Sequence, residues 1–134
     1  MVKLIIGVKG TGKTKALVNL ANAAVESSNG AVVCIEKGTK LTFNVNYKCR
    51  LIDTDEYSVD GADALYGFVA GIFASNHDVT DLFIDSSLKI CKDVESAEKL
   101  VEKLDALTEK CNVNCVIAAS IPVETASDFV KKHL

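Results

Sequence analysis

The sequence predicts an α/β domain: a three-layer α/β/α sandwich on a mainly parallel sheet. Short apolar runs alternate with stretches of helical spacing, as strand–helix–strand units require. The runs are apolar at consecutive positions rather than at every second one, so their strands are covered on both faces. Polar and charged side chains stand where the runs end, and a parallel sheet gathers its functional groups at the carboxyl ends of its strands.

The elements follow in order. Leu4 to Val8 reads as the first strand and leads into a glycine-rich turn. Thr14 to Ser27 carries Ala16, Leu17, Leu20, Ala21, Ala24 and Val25 at helical spacing, and "SSNG" stops it with Gly30. "AVVCIE" (31–36) is a second strand, and "GTKLTFNVNYK" is irregular or a hairpin. "CRLIDTDEY" holds a short strand with acids at its end. Gly61 to Ser75 reads as a helix whose Gly67 and Gly71 permit close approach to the sheet. "DLFID" (81–85) is a third buried strand. Val94 to Lys110 is an amphipathic helix with Leu100, Val101, Leu104 and Leu107 on one face. "NCVIAAS" (114–120) is another strand, and Thr125 to Leu134 a closing helix.

At 134 residues the chain is expected to form one domain over 1–134, and 49% apolar residues suffice for a core. The net charge is −3 and no basic run exceeds Lys131–Lys132, which disfavours nucleic acid as a partner. No apolar run reaches the roughly 18 residues of a membrane span; "ALYGFVAGIFA" has the length of a core helix. "MVKLIIGVKG" is too short in its apolar part for a signal peptide. The five cysteines are odd in number and lie mostly in apolar segments, so buried free thiols and a cytoplasmic location are expected. Cys111 and Cys115 straddle a helix end and a strand start, a poor arrangement for zinc.

The sharpest feature is "GVKGTGKT", Gly7 to Thr14, which fits G-x-x-x-x-G-K-[ST] at each fixed position. Gly10 and Gly12 allow backbone angles that turn successive N–H groups inward. The following helix adds its positive end. Lys13 can reach β- and γ-phosphates, and the Thr14 hydroxyl can join a magnesium shell.

These residues resemble the Walker A motif of the P-loop NTPases, and the resemblance implies the P-loop NTPase fold. It implies a nucleotide cradle of Gly7, Lys9, Gly10, Thr11, Gly12, Lys13, Thr14 and Lys15 holding ATP or ADP with Mg²⁺. A Walker B strand should end in Asp, and "DLFID" supplies Asp85 as the magnesium partner beside Thr14; Asp53, closing "RLID", is its rival. The GTPase motifs D-x-x-G and [NT]-K-x-D are absent. The signature lysine of the partitioning ATPases would fall at Val8. Nucleotide kinases use several arginines, and this chain has only Arg50.

The ATPase branch that includes RecA-like and motor proteins remains. Its sheet order would be Leu4–Val8, Asn114–Ser120, Asp81–Asp85, Ala31–Glu36, with Ser120 as a polar sensor. Asp85 is followed by Ser86 and Ser87, where most members of the branch carry Glu. RecA-like proteins place the catalytic Glu at the end of the strand after the P-loop helix, which here is Glu36. The expected catalytic pair is therefore Lys13 and Glu36. Arg50 is the one arginine available for charge stabilisation, in cis or from a neighbouring subunit. The expected function is Mg·ATP binding with slow ATPase activity, completed by a protein partner or a homo-oligomer. The alternatives are a non-catalytic nucleotide-gated interaction module and a small nucleoside or nucleotide kinase.

Overall fold

The computed structural model describes residues 1–134. Five strands form one parallel sheet: β1 (Val2–Ile6), β2 (Ala31–Glu36), β3 (Arg50–Asp53), β4 (Val79–Ile84) and β5 (Asn114–Ala119). Their spatial order is β1-β5-β4-β2-β3, each pair parallel. The four-strand order expected from the sequence is therefore observed, with β3 added at the edge. The helices are α1 (Lys13–Ser27), α2 (Ala62–Ser75), α3 (Ser87–Cys91), α4 (Val94–Cys111) and α5 (Asp128–Lys131).

Strand parity builds the three layers. Val32, Cys34, Phe83 and Ala118 face α1 and pack with its Leu17, Val18, Ala21 and Ala24. Val33, Ile35, Leu82, Ile84 and Ile117 face the other way, onto Leu65 and Val69 of α2 and Leu100, Val101 and Leu104 of α4. One helix thus covers one face. The segment 37–49 extends that cover through Leu41, Val45 and Cys49. Asn22 of α1 pins the segment, donating to the Asn44 carbonyl and accepting from the Asn46 N–H.

Several elements differ from the sequence reading. β1 begins two residues earlier than Leu4 and ends at Ile6, which frees Gly7 and Val8 for the loop. Segment 37–49 contains turns and no strand, so it is not a hairpin. The one-turn helix α3 lies in a stretch for which no helix was expected. The closing helix shrinks to α5, preceded by a 3-10 turn at Val123–Thr125, and the chain end docks on the sheet edge through the Leu4 N–H and the His133 carbonyl. Four cysteines are buried and free, whereas Cys111 is free and exposed. No helix is long and apolar enough to cross a membrane.

The glycines also change roles. Gly67 and Gly71 lie on the exposed face of α2, where an added Cβ would meet nothing within 4 Å. They do not admit the sheet. Gly30 does need its missing side chain: a Cβ there would stand 2.1 Å from the Asp78 carbonyl oxygen, where the chain enters β2 beside β4. Gly67→Ala is therefore expected to stabilise the protein by about 0.5–1 kcal/mol, the ordinary helix gain over glycine. Gly30→Ala is expected to destabilise it. Urea unfolding of the two variants beside wild type checks both signs.

Candidate functional site

Register sets the site. Ile6 pairs with Ala119, so Gly7 and Ser120 leave the sheet at one level. Ile84 pairs with Ile117 and Ile35, so Asp85 leaves the sheet level with Ala118 of β5 and with Glu36, the last residue of β2. The Asp85 N–H donates to the Ile35 carbonyl at 2.8 Å, which holds Asp85 against the sheet end.

The glycine loop crosses this edge. Gly7, Gly10 and Gly12 have φ of 148°, 89° and 87°. At Gly7 a Cβ would also stand 2.5 Å from the Thr11 hydroxyl, which itself donates to the Val8 carbonyl at 2.7 Å. The N–H groups of Gly10, Gly12, Lys13, Thr14 and Lys15 have no partner within the protein. Gly12 caps α1 with no side-chain bond, and no acid stands in the first turn. Five unpaired donors and a bare helix start are the features that suit a helix N-terminus to an anion. Lys13 lies folded back, its Nζ donating to the Val8 carbonyl at 3.0 Å.

Thr14 lies beside Asp85, with its Oγ1 3.3 Å from Oδ1 and 3.5 Å from Oδ2. This hydroxyl–carboxylate pair offers only hard oxygen donors, as a magnesium that keeps most of its waters requires. No cluster of three or more His, Cys, Asp or Glu side chains could hold a metal by itself. The pair thus fits a cation shared with a phosphate chain better than a closed protein cage.

The cavity over the loop measures about 620 Å³. Lys9, Gly10, Gly12, Lys13 and Thr14 form its floor, and Asp85, Ala118 and Ser120 its sheet side. Its remaining wall was not expected from the sequence: Lys40 and Leu41 from the β2–β3 segment, and Ser86 to Lys89 from the start of α3. Ser86 adopts φ 60°, a left-handed turn that starts α3 at once after Asp85. The buried Ser87 hydroxyl donates to the Ala118 carbonyl at 2.7 Å and ties that turn to β5. Lys40 follows Glu36 by four residues and Lys89 follows Asp85 by four. Proximity to a strand's carboxyl end was the available signal for both.

Of the expected cradle, Gly7, Thr11 and Lys15 do not line the cavity, and Glu36, Asp53 and Arg50 stand away from it. Glu36 is 2% exposed and lines a neighbouring hollow, with its Oε2 accepting the Leu41 N–H at 3.1 Å. Asp53 stands at the sheet edge and accepts from the Gly38 and Asp55 N–H groups, so it caps a turn rather than facing Thr14. Arg50 begins β3, at the amino end of the strands, whereas the cavity lies at their carboxyl ends. That placement removes Arg50 as a phosphate ligand within one chain.

Burial raises the proton affinity of Glu36, with further increases from the charges of Asp85 and Asp53; the Leu41 and Lys40 N–H groups oppose it. An acid whose folded-state pKa is raised costs stability when ionised. The cost is fully present above that folded pKa and vanishes below the ordinary glutamate range, where folded and unfolded chains both hold the proton. Glu36→Gln is therefore expected to gain stability relative to wild type as pH rises from 4 to 7. Urea midpoints of both proteins at the two pH values measure the change.

The parallel α/β/α sandwich, with the order β1-β5-β4-β2-β3 and a glycine loop between β1 and α1, agrees with the P-loop NTPase fold. Among solved structures, a KaiC-like protein of Pyrococcus horikoshii superposes with a TM-score of 0.65 at 18% sequence identity, over 98% of this chain and 66% of that one. The chain therefore spans a little under two thirds of that protein's length, and the likeness is one of fold. No protein-family model matches the chain, and no curated protein matches it.

Proposed function

We propose that this chain binds Mg·ATP in the cavity over Gly7–Thr14 and hydrolyses it slowly to ADP and phosphate in the cytoplasm. The observation that carries the reading is the meeting of Thr14 and Asp85 at 3.3 Å beside five unpaired N–H groups. The N–H groups would hold the phosphate oxygens. Lys13 would leave the Val8 carbonyl and turn to the β- and γ-phosphates. Thr14 and Asp85 would hold Mg²⁺, which when bound neutralises charge on the phosphate chain.

Hydrolysis needs a group that orients water, and Glu36 is proposed for it. Water oxygen would bond to the γ-phosphorus as the bond to the β–γ bridging oxygen breaks. ADP would keep that electron pair, and the water proton would pass to Glu36 or to a phosphate oxygen. Glu36 is held by the Leu41 N–H, so segment 37–41 must shift before the carboxylate meets water. That requirement supports turnover slower than the common enzyme range of about 1 s⁻¹ or more.

A specific feature favours a second reading, the nucleotide-gated interaction module. Phe43 is 98% exposed and Tyr47 88%, on the same segment that gives Lys40 and Leu41 to the cavity wall. A segment that moves on binding would carry these aromatics with it, and exposed aromatics are the side chains that anchor partners.

Calorimetry of wild type and Lys13→Ala with Mg·ATP tests the binding: heat in the wild type and its loss in the variant are expected. ADP release then separates the readings. Slow conversion by wild type that falls at least tenfold in Glu36→Gln, on the order of one lost acid–base role, marks the ATPase. Stable binding without ADP marks the module, and equal turnover in Glu36→Gln overturns the role of Glu36.

A further inference from the structure

Four lysines and a single carboxylate, Asp85, line the cavity of a protein whose net charge is −3. Lys13 belongs to the cradle itself. Lys9, Lys40 and Lys89 come to the same cavity from three separate segments, and none is paired with a carboxylate. Lys37, Lys92 and Lys99, by contrast, are paired with Asp55, Asp60 and Glu95. Lys40 and Lys89 line the same cavity from different segments. Lys89 holds its proton less firmly than usual, first through the charge of Lys40, with smaller contributions from its slight burial and the charge of Lys9. Like charges brought together from separate elements leave a position that only an anion relieves.

We propose that Lys40 and Lys89 form a clamp for the terminal phosphoryl group of a nucleoside triphosphate, closing on it from the wall that the glycine loop does not provide. The clamp rests on the ATP-binding reading above. The unpaired N–H groups and Lys13 suffice for the phosphates that ADP and ATP share. Lys40 and Lys89 supply donors for the one phosphate that ATP has in addition. Lysine suits the task as a flexible point charge. The structure also gives the task to no arginine, since Arg50 stands at the opposite end of its strand. Because Lys40 adjoins Leu41, whose N–H holds Glu36, a phosphate drawn to Lys40 acts on the segment that must move. The clamp thereby makes the cavity selective for the triphosphate state.

The test is calorimetric titration with Mg·ADP and with the magnesium complex of a non-hydrolysable β,γ-imido ATP analogue. Wild type, Lys40→Ala, Lys89→Ala, the double variant and Lys89→Arg are compared, with Lys110→Ala as a distant control and thermal melts to verify folding. Loss of one charge-assisted contact should weaken triphosphate binding about tenfold in each alanine variant, while ADP affinity stays within about twofold. The double variant should lose the preference for triphosphate, and Lys89→Arg should retain it. All three lysines that are replaced are exposed, so folding should survive; should an alanine variant melt early, the glutamine substitution at that position gives the same comparison. Equal weakening of both ligands, or no change in either, overturns the clamp and leaves the ATP-binding reading standing. A wild type that binds neither ligand overturns both.

Discussion

The pairing of β5 with β1 on one side and β4 on the other is the constraint on which the site depends. Strands in a sheet lie about 4.8 Å apart, so one intervening strand sets β1 and β4 at roughly twice that spacing. The gap leaves room for the glycine loop to fold over the end of β5 and carry Thr14 to Asp85. The Ser87 hydroxyl bond to Ala118 secures the same arrangement from the far side, because it fixes the turn after Asp85 to the strand beneath the loop. Buried strands make this rigid: Leu82, Ile84, Ile117 and Ile35 are 0–1% exposed. Side chains at the strand ends therefore inherit their positions from the core rather than from their own contacts.

Charge is distributed with the same economy. The chain is acidic overall, yet the cavity is basic and is backed by the positive end of α1. Unpaired backbone donors, a helix start without a first-turn acid and four lysines all favour an anion, and a concave wall concentrates their field. Lys13 bonds to the Val8 carbonyl and Thr14 to Asp85, so both side chains are held within the loop region. These are the groups that the proposed function assigns to a phosphate chain and its cation.

How much of this could be read from the sequence follows from which signals are local. β2, β4 and β5 announce themselves because strands buried on both faces must be continuously apolar, and "AVVCIE" spans β2 residue for residue. The order of the strands came from the Walker-type resemblance rather than from periodicity. Gly67 and Gly71 misled because a glycine pair in a helix carries no label for the face it lies on. Thr125–Leu134 misled because Val130 and His133 are buried by docking on the sheet edge, which imitates helical patterning. Lys40 and Lys89 gave no signal beyond their closeness to a strand's carboxyl end. Each is a common residue in a polar stretch, and only the folded register brings one from behind β2 and the other from behind β4 to a single wall.

That wall joins three features which the sequence keeps apart. Segment 37–49 carries Lys40 at the cavity, the Leu41 N–H on Glu36, and Phe43 and Tyr47 in solvent. Asn22 fastens the segment at Asn44 and Asn46, on the far side of the aromatic Phe43 from Lys40. Movement is thus cheapest in the short stretch 37–43, between the end of β2 and the Asn22 anchor. The same stretch holds Gly38 at φ 105°, a conformation most side chains resist and a natural pivot. A phosphate that draws Lys40 toward the glycine loop would pull on the Leu41 N–H that holds Glu36. Occupancy of the cavity, release of the carboxylate and displacement of the exposed aromatics would then be one motion of one segment, so the enzyme and the interaction module differ only in which consequence of that motion is used.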